Sequence, residues 1–330
     1  MKAPVKTVHV GLGPIGLEIV RAGVAAGLCE PVAAADINPE LAGASLAEIA
    51  ASEAVPAVAV NSDLNEAAQR GTEQEAEVAV VATGSHLGLI ADQFEALLGA
   101  GLNCLSTCEE LVFPWLKAAH AADRLDGIAR EHEVSLLGVG VNPGFVLDLL
   151  PFVMTRVCQR VGGVYAGRFV DASLRRPQLQ AKIGCGLSED EFRARAADGA
   201  IGHVGLGESA ALLADSLGWP WDEIEETIDP VMAAEPVRSE HFSVAAGEVR
   251  GQVQTVRASA PQGKVELELC MALGERSRDV VRVDGEPPVS LVIEGGIHGD
   301  RATAGMVINF LGPVVKAPAG LRTVTEVALG

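Results

Sequence analysis

The chain has 330 residues, 48% hydrophobic and 21% charged, a globular composition with length enough for more than one core. Its formal net charge of −19 argues against nucleic acid or an anionic membrane surface as a partner. The most apolar region, 134–157, is interrupted by Asn142-Pro143-Gly144, Asp148 and Pro151, which excludes a membrane span there.

The N-terminus runs into a polar-flanked strand with no secretory signal, and the six cysteines are scattered. Cys104 and Cys108 lie four apart, but no second pair or nearby histidine completes a zinc set, so no metal is expected. Reduced thiols in a cytoplasmic protein are the reading that follows.

Residues 7–36 organise the rest. An apolar strand with Val8 and Val10 runs into Gly11-Leu12-Gly13-Pro14-Ile15-Gly16, a helix follows over 17–26, and a second strand over 32–35 ends at Asp36. Strand, glycine turn, helix, strand and terminal acid make the context in which G-x-G-x-x-G denotes a dinucleotide site. Gly11 permits the turn, Gly13 admits a pyrophosphate and Gly16 lets helix and strand pack closely; the phosphates would meet the helix N-terminus. Asp36, 20 residues beyond Gly16, is placed to accept ribose hydroxyls and favours NAD(H) over NADP(H), which stays open.

Further on, the pattern predicts a helix over 39–51, a strand over 54–60, a helix over 62–69 and a strand over 77–82 closed by Thr83-Gly84-Ser85-His86. A helix over 87–98, a strand over 103–106, a helix over 114–132 and a strand over 134–140 complete a doubly wound parallel sheet. Strand carboxyl ends face the cofactor, so Thr83, Gly84, Ser85, Thr107 and Asn142 are expected along it.

Asn142-Pro143-Gly144 marks a turn and a domain boundary. Beyond it come an apolar helix over 146–160, a strand over 163–172, a capping box at Ser188-Glu189-Asp190-Glu191, and a helix opened by 203–209 and stopped by Gly218. From 248 to 294 apolar residues alternate, as in Val265, Leu267, Leu269 and Met271, which predicts antiparallel strands with one buried face. A last helix over 303–311 reads as packing back on the first domain. The fold class is α/β: an N-terminal Rossmann doubly wound parallel sheet over 1–145, a C-terminal α+β domain with an antiparallel sheet over 146–300 for substrate and oligomerisation, and a returning helix and tail over 301–330.

Several polar groups are candidates for chemistry. Glu109 and Glu110 follow the fifth strand, where a desolvated carboxylate can serve as acid and base; Ser106-x-x-Glu109 equally fits a helix cap. His203 and His298 lie among glycines, and Arg175 and Arg176 suit a substrate carboxylate, a cofactor phosphate or a surface ion pair. Phe145 and Thr303 join Arg176, His203 and His298 as substrate-side candidates. No serine-hydrolase elbow, zincin or Walker motif is present.

Cys108-Glu109-Glu110, Gly138-Val139-Gly140-Val141-Asn142-Pro143-Gly144-Phe145, Asp171-Ala172-Ser173-Leu174-Arg175-Arg176, Gly202-His203-Val204-Gly205 and His298-Gly299-Asp300 stand in an order that resembles the dihydrodipicolinate-reductase-like superfamily. Within it the chain is most similar to the 2,4-diaminopentanoate dehydrogenases and native amine dehydrogenases. The resemblance implies an NAD(P)-dependent enzyme interconverting an amine with a small ketone or aldehyde plus ammonia. It places the catalytic carboxylate at Glu109 or Glu110, with Glu109 favoured. The His-His-x-x-Lys segment and Ser-Gly-Thr loop of true dihydrodipicolinate reductases are absent. Two alternatives accompany this reading: an imine or carbonyl reductase that does not use ammonia, and a non-catalytic dinucleotide sensor, against which the polar candidates argue. A homodimer is expected, because an exposed antiparallel sheet is a common dimer surface.

Overall fold

The computed structural model describes residues 3–329. The chain forms two compact units, one of residues 1–145 with 298–330 and one of residues 146–297, so the return begins at His298 where the sequence suggested 301.

In the first unit the elements run β1 (Val5–Val10), α1 (Pro14–Ala25), β2 (Cys29–Ala35), α2 (Leu46–Ile49), β3 (Val60–Asn61), α3 (Leu64–Glu73), β4 (Val78–Val81), α4 (Leu87–Gly99), β5 (Asn103–Ser106), α5 (Ala119–Glu131) and β6 (Ser135–Gly138). In the second unit follow α6 (Leu149–Thr155), β7 (Arg160–Asp171), α7 (Pro177–Lys182), α8 (Glu189–Ala197), α9 (Leu206–Ser216), β8 (Ile224–Met232) and the short β9 (Val237–Arg238) and β10 (Ser243–Val244). That unit ends with β11 (Val249–Ala260), β12 (Gly263–Ala272), β13 (Arg278–Glu286) and β14 (Val289–Glu294). The chain then adds α10 (Gly299–Lys316), β15 (Gly320–Arg322) and α11 (Val324–Leu329) to the first unit.

The first sheet has the order β15-β6-β5-β4-β1-β2-β3, every pairing parallel. Its strands are short apolar runs because both faces are covered. Ala33, Ala35, Val8 and Val10 pack with Phe94, Leu97 and Leu125 of α4 and α5. Ala34 points the other way, into a cluster with Val20 of α1 and Leu46 of α2. α10 lies against α1 and β5. The order reverses between β1 and β4, and such switch points open a crevice at the strand carboxyl ends.

Four predicted elements are shorter than expected. The helix over 39–51 breaks at Gly43, whose φ is +78° and whose N–H donates to Val60 O at 2.8 Å; only a turn at Pro39–Leu41 and the four-residue α2 remain. Pairing of Ala44 with Val60 also confines the third strand to Val60–Asn61. The helix over 114–132 is interrupted at Ala118 (φ −134°). The helix over 146–160 begins only at Leu149, capped by Asp148, and ends at Thr155.

The second sheet has the order β14-β13-β7-β12-β11-β8. It is mixed rather than antiparallel, because β7 enters between β12 and β13 and runs parallel to β12. The alternation in β12 is real: Val265, Leu267, Leu269 and Met271 are buried on the face that carries α9. β8 was not predicted. Its acids and Pro230 suit an edge strand, where charge and a missing N–H are tolerated, yet they mask the period of two. The capping box at Ser188 and Glu191 forms as expected.

Among the described residues no helix is long and apolar enough to cross a membrane. Among them, too, no cluster of three or more His, Cys, Asp or Glu is arranged to hold a metal ion. All six cysteines are free thiols.

Candidate active site

The glycine turn after β1 divides its labour. A Cβ on Gly11 (φ +87°) would stand 2.6 Å from Ala82 O, and one on Gly16 would stand 2.0 Å from Gly11 O, so both are required by packing. A Cβ on Gly13 would meet nothing within 4 Å. Gly13 is the N-cap of α1 and supplies no side-chain cap, while Pro14 occupies the first turn. The first-turn N–H groups of Ile15 and Gly16 therefore lack an intrahelical acceptor, and the space at Gly13, which precedes them, is open. This cradle fits a pyrophosphate, held by backbone donors and the helix dipole.

Asp36 follows β2 with both carboxylate oxygens engaged: Leu12 N–H donates to Oδ2 at 2.6 Å and Asn38 N–H to Oδ1 at 2.8 Å. Two backbone donors fix the group while leaving lone pairs for ribose hydroxyls. Ile37, next in the chain, is an apolar side chain that is 91% exposed.

At the end of β4, Thr83 Oγ1 donates to Gln93 Oε1 at 2.8 Å, and Thr83 and Gly84 are exposed. The end of β5 carries Thr107-Cys108-Glu109-Glu110. Ser106 Oγ donates to Val81 O and accepts from Cys108 N–H, so the Ser106-x-x-Glu109 pattern does not close into a capping box. Glu110, not Glu109, acts as a cap: its Oε2 accepts from Leu87 N–H at 2.7 Å at the start of α4, and its Oε1 accepts from His86 Nδ1 at 2.9 Å. The half-buried Glu109 carboxylate has no hydrogen bond or ion pair among the described residues. Burial, more than the two neighbouring carboxylates, pushes the Cys108 thiol up to about 12, which keeps it protonated and inert.

After β6 the chain turns through Asn142 and a cis Asn142–Pro143 bond. Gly144 (φ +118°) approaches so closely that a Cβ there would lie 2.5 Å from Gly140 N. Thr303 Oγ1 accepts from Val141 N–H at 3.3 Å, and exposed His298 caps α10, its Nδ1 accepting from Arg301 N–H at 3.4 Å. Thr303 and His298 thus already hold local structure. Gly11–Gly16, Asp36, Thr83–Ser85, Thr107–Glu110 and Asn142 all follow the carboxyl ends of the first unit's strands.

In the second unit Arg176 is exposed at the start of α7. Its loop is tied down by hydrogen bonds: Gln180 Nε2 donates to the carbonyls of Ser173 and Arg175, and Ser239 Oγ donates to Gln180 Oε1. Half-buried His203 is clasped through its backbone by Gln254, which accepts from its N–H at 2.7 Å and donates to its carbonyl at 2.9 Å. A buried ion pair, Arg168 with Asp279, grips Ile297 in the same way, at its carbonyl and its N–H. Burial pushes the Asp279 carboxyl up and the Arg168 guanidinium down, each against the pull of its partner. Gln180, Gln254 and the Arg168–Asp279 pair were not singled out from sequence, since nothing local marks them.

A doubly wound parallel sheet with a glycine turn opening its first helix, and an acid after its second strand, has the architecture of the dinucleotide-binding Rossmann proteins. Comparison with known proteins narrows the class. Residues 145–330 match the model of the 2,4-diaminopentanoate dehydrogenase C-terminal domain. The chain is 28% identical over 267 residues to the 2,4-diaminopentanoate dehydrogenase of Acetoanaerobium sticklandii, covering 77% of this chain and 74% of that one. Among solved structures it is similar to an amine dehydrogenase from Mycobacterium smegmatis, with a TM-score of 0.82 and 22% identity over 98% of this chain and 95% of that one. It is also similar to GenD2 of gentamicin A biosynthesis, solved with NAD, with a TM-score of 0.61 and 15% identity over 99% and 91% of the two chains. The chain belongs to the 2,4-diaminopentanoate dehydrogenase family and is a dehydrogenase that uses a nicotinamide dinucleotide.

Proposed function

We propose that the protein catalyses the reductive amination of a small ketone or aldehyde with ammonia, and the reverse oxidative deamination, with Glu109 as the carboxylate that handles protons. The observation that carries this reading is the division within Cys108-Glu109-Glu110: Glu110 is bound on both oxygens, whereas Glu109 has no hydrogen-bond or ion-pair partner among the described residues. Glu109 follows β5, on the sheet edge where a doubly wound fold brings the cofactor. The names of the A. sticklandii and M. smegmatis relatives support chemistry at a carbon–nitrogen bond.

The overall change is carbonyl plus ammonia, reduced cofactor and a proton, giving amine, oxidised cofactor and water. The bound nicotinamide supplies the hydride. Glu109 takes a proton from ammonium, freeing the nucleophile that adds to the carbonyl carbon. It returns that proton to the carbinolamine hydroxyl, so that the C–O bond breaks and water leaves. The negative charge of Glu109 then stabilises the iminium cation until reduction. Phe145, Arg176 and His203 are the substrate-side candidates; His298 and Thr303 support the loops they cap.

The fixed carboxylate of Asp36 supports NAD(H) over NADP(H), since a 2′-phosphate would meet an anion held by two backbone donors. Ile37 offers an apolar face to the adenine. A homodimer goes with this reading and is measurable by light scattering.

The test is NADH and NADPH oxidation with a panel of small ketones and aldehydes, with and without ammonium, at mildly alkaline pH. Oxidation that requires ammonium is the expected result, faster with NADH. Oxidation at the same rate without ammonium would make the protein a carbonyl or imine reductase instead.

A further inference from the structure

The second glutamate of the Cys-Glu-Glu turn has a different job from the first. Three consecutive residues of the loop between β4 and α4 are fastened to the turn that follows β5. Ser85 O accepts from Glu110 N–H at 3.2 Å and from Cys108 Sγ at 3.3 Å. His86 Nδ1 donates to Glu110 Oε1, and Leu87 N–H donates to Glu110 Oε2. α4 has no cap from its own N-cap residue, His86, so Glu110 supplies one from 23 residues away. The Glu110 side chain is 12% exposed and that of His86 54%, so the brace stands at the rim with its carboxylate end inward.

Glu109 and Glu110 open one 3₁₀ turn, Glu109–Val112, in which successive side chains point about 120° apart. A turn locked through Glu110 therefore fixes the direction of Glu109. We propose that Glu110, braced by His86, is a positioning residue that sets the orientation of the Glu109 carboxylate and takes no part in proton transfer. This rests on the reading of Glu109 as the proton-handling group. Glutamine is the informative substitution, because its amide oxygen can still accept from Leu87 N–H, while its amide N–H₂ can donate to His86 Nδ1 in the tautomer that carries its proton on Nε2, reversing the direction of that bond.

The test compares Glu110→Gln, Glu110→Ala, His86→Ala and Glu109→Gln in the full-length protein. Glu110→Gln is expected to keep most of the wild-type kcat with an unchanged pH profile. In Glu110→Ala, kcat falls by about tenfold to a hundredfold with KM for NADH little altered, as expected of a misplaced reacting group. His86→Ala is intermediate. A second readout needs no turnover: site-resolved alkylation by iodoacetamide, in which buried Cys108 resists labelling in wild type and in Glu110→Gln but labels in Glu110→Ala. If Glu110→Gln loses as much activity as Glu109→Gln, or loses a limb of the pH profile, Glu110 carries a proton and the proposal is wrong. Equal Cys108 labelling in Glu110→Gln and Glu110→Ala would overturn it as well. Should the wild type oxidise NADH with no carbonyl and ammonium, the functional reading fails while the labelling still decides the role of Glu110. If Glu110→Ala does not fold, Glu110→Gln and His86→Ala carry the same comparison.

Discussion

The two sheets meet the demand for burial in opposite ways. In the first unit the strands are nearly free of charge, and β4 and β6 are buried along their whole length. Helices cover both faces, and the sheet offers chemistry only where its strands end, through backbone N–H groups, glycine space and a few terminal acids. In the second unit the sheet carries polar groups within its layers: Arg168 and Asp279 buried as a pair, Gln254 clasping His203, and Gln252 buried with neither amide atom hydrogen-bonded among the described residues. The first sheet is a platform whose edge works. The second is a scaffold that spends internal charge on fixing loops.

That contrast can be broken most severely at the Arg168–Asp279 pair. Replacing one partner, as in Asp279→Asn or Arg168→Met, leaves the other charge buried alone and is expected to destabilise the second unit by about 3–5 kcal/mol. The double variant Arg168→Met/Asp279→Leu should recover most of that loss in chemical denaturation, since a buried pair often contributes little net stability. A double variant no more stable than the singles would show that the grip on Ile297, not charge compensation, dominates.

The first sheet has its own buried ionisable group, and the effect there is smaller. Burial lowers the pKa of His9 from 6.5 to about 4. The unfolded chain therefore binds the proton first as pH falls. The stability held above pH 6.5 is lost as pH drops toward the folded value of about 4, and it amounts at most to roughly 3 kcal/mol. Thermal midpoints measured between pH 7 and 4 should fall more steeply in wild type than in His9→Asn. Parallel curves would mean that His9 does not titrate in this range.

The smallest change sharpens the account of the strand-end site. Gly13→Ala places a methyl where the protein has nothing within 4 Å, at an ordinary φ of −66°. Stability should fall by no more than about 1 kcal/mol, because Ala is a poorer N-cap than Gly, while NADH affinity, read by fluorescence titration, should fall by about tenfold or more, roughly 1.4 kcal/mol. Unchanged NADH affinity would move the pyrophosphate away from Gly13.

The same contrast explains what could be read from the chain alone. Gly11, Gly13, Gly16 and Asp36 announce themselves because their roles depend on local spacing. The doubly wound sheet stands as expected for the same reason, as short apolar runs alternating with helices. The second unit is built from partners far apart in sequence: Arg168 and Asp279 by 111 residues, His203 and Gln254 by 51. No periodicity reports such pairings, and the parallel entry of β7 beside β12 was invisible for that reason. The Cys-Glu-Glu turn shows the limit within one motif. Spacing offered Ser106-x-x-Glu109 as a cap, but the helix that needs capping is α4, and Glu110 reaches it across a neighbouring strand end.

The central claim is that Glu109, the member of that turn with no hydrogen-bond or ion-pair partner among the described residues, moves the protons of an amination. The direct measurement is ammonium-dependent NADH oxidation by Glu109→Gln beside wild type, with NADH affinity titrated on the same samples. The account predicts a loss of about 10²–10⁴-fold in kcat with NADH affinity nearly unchanged. A variant that turns over at the wild-type rate would contradict it.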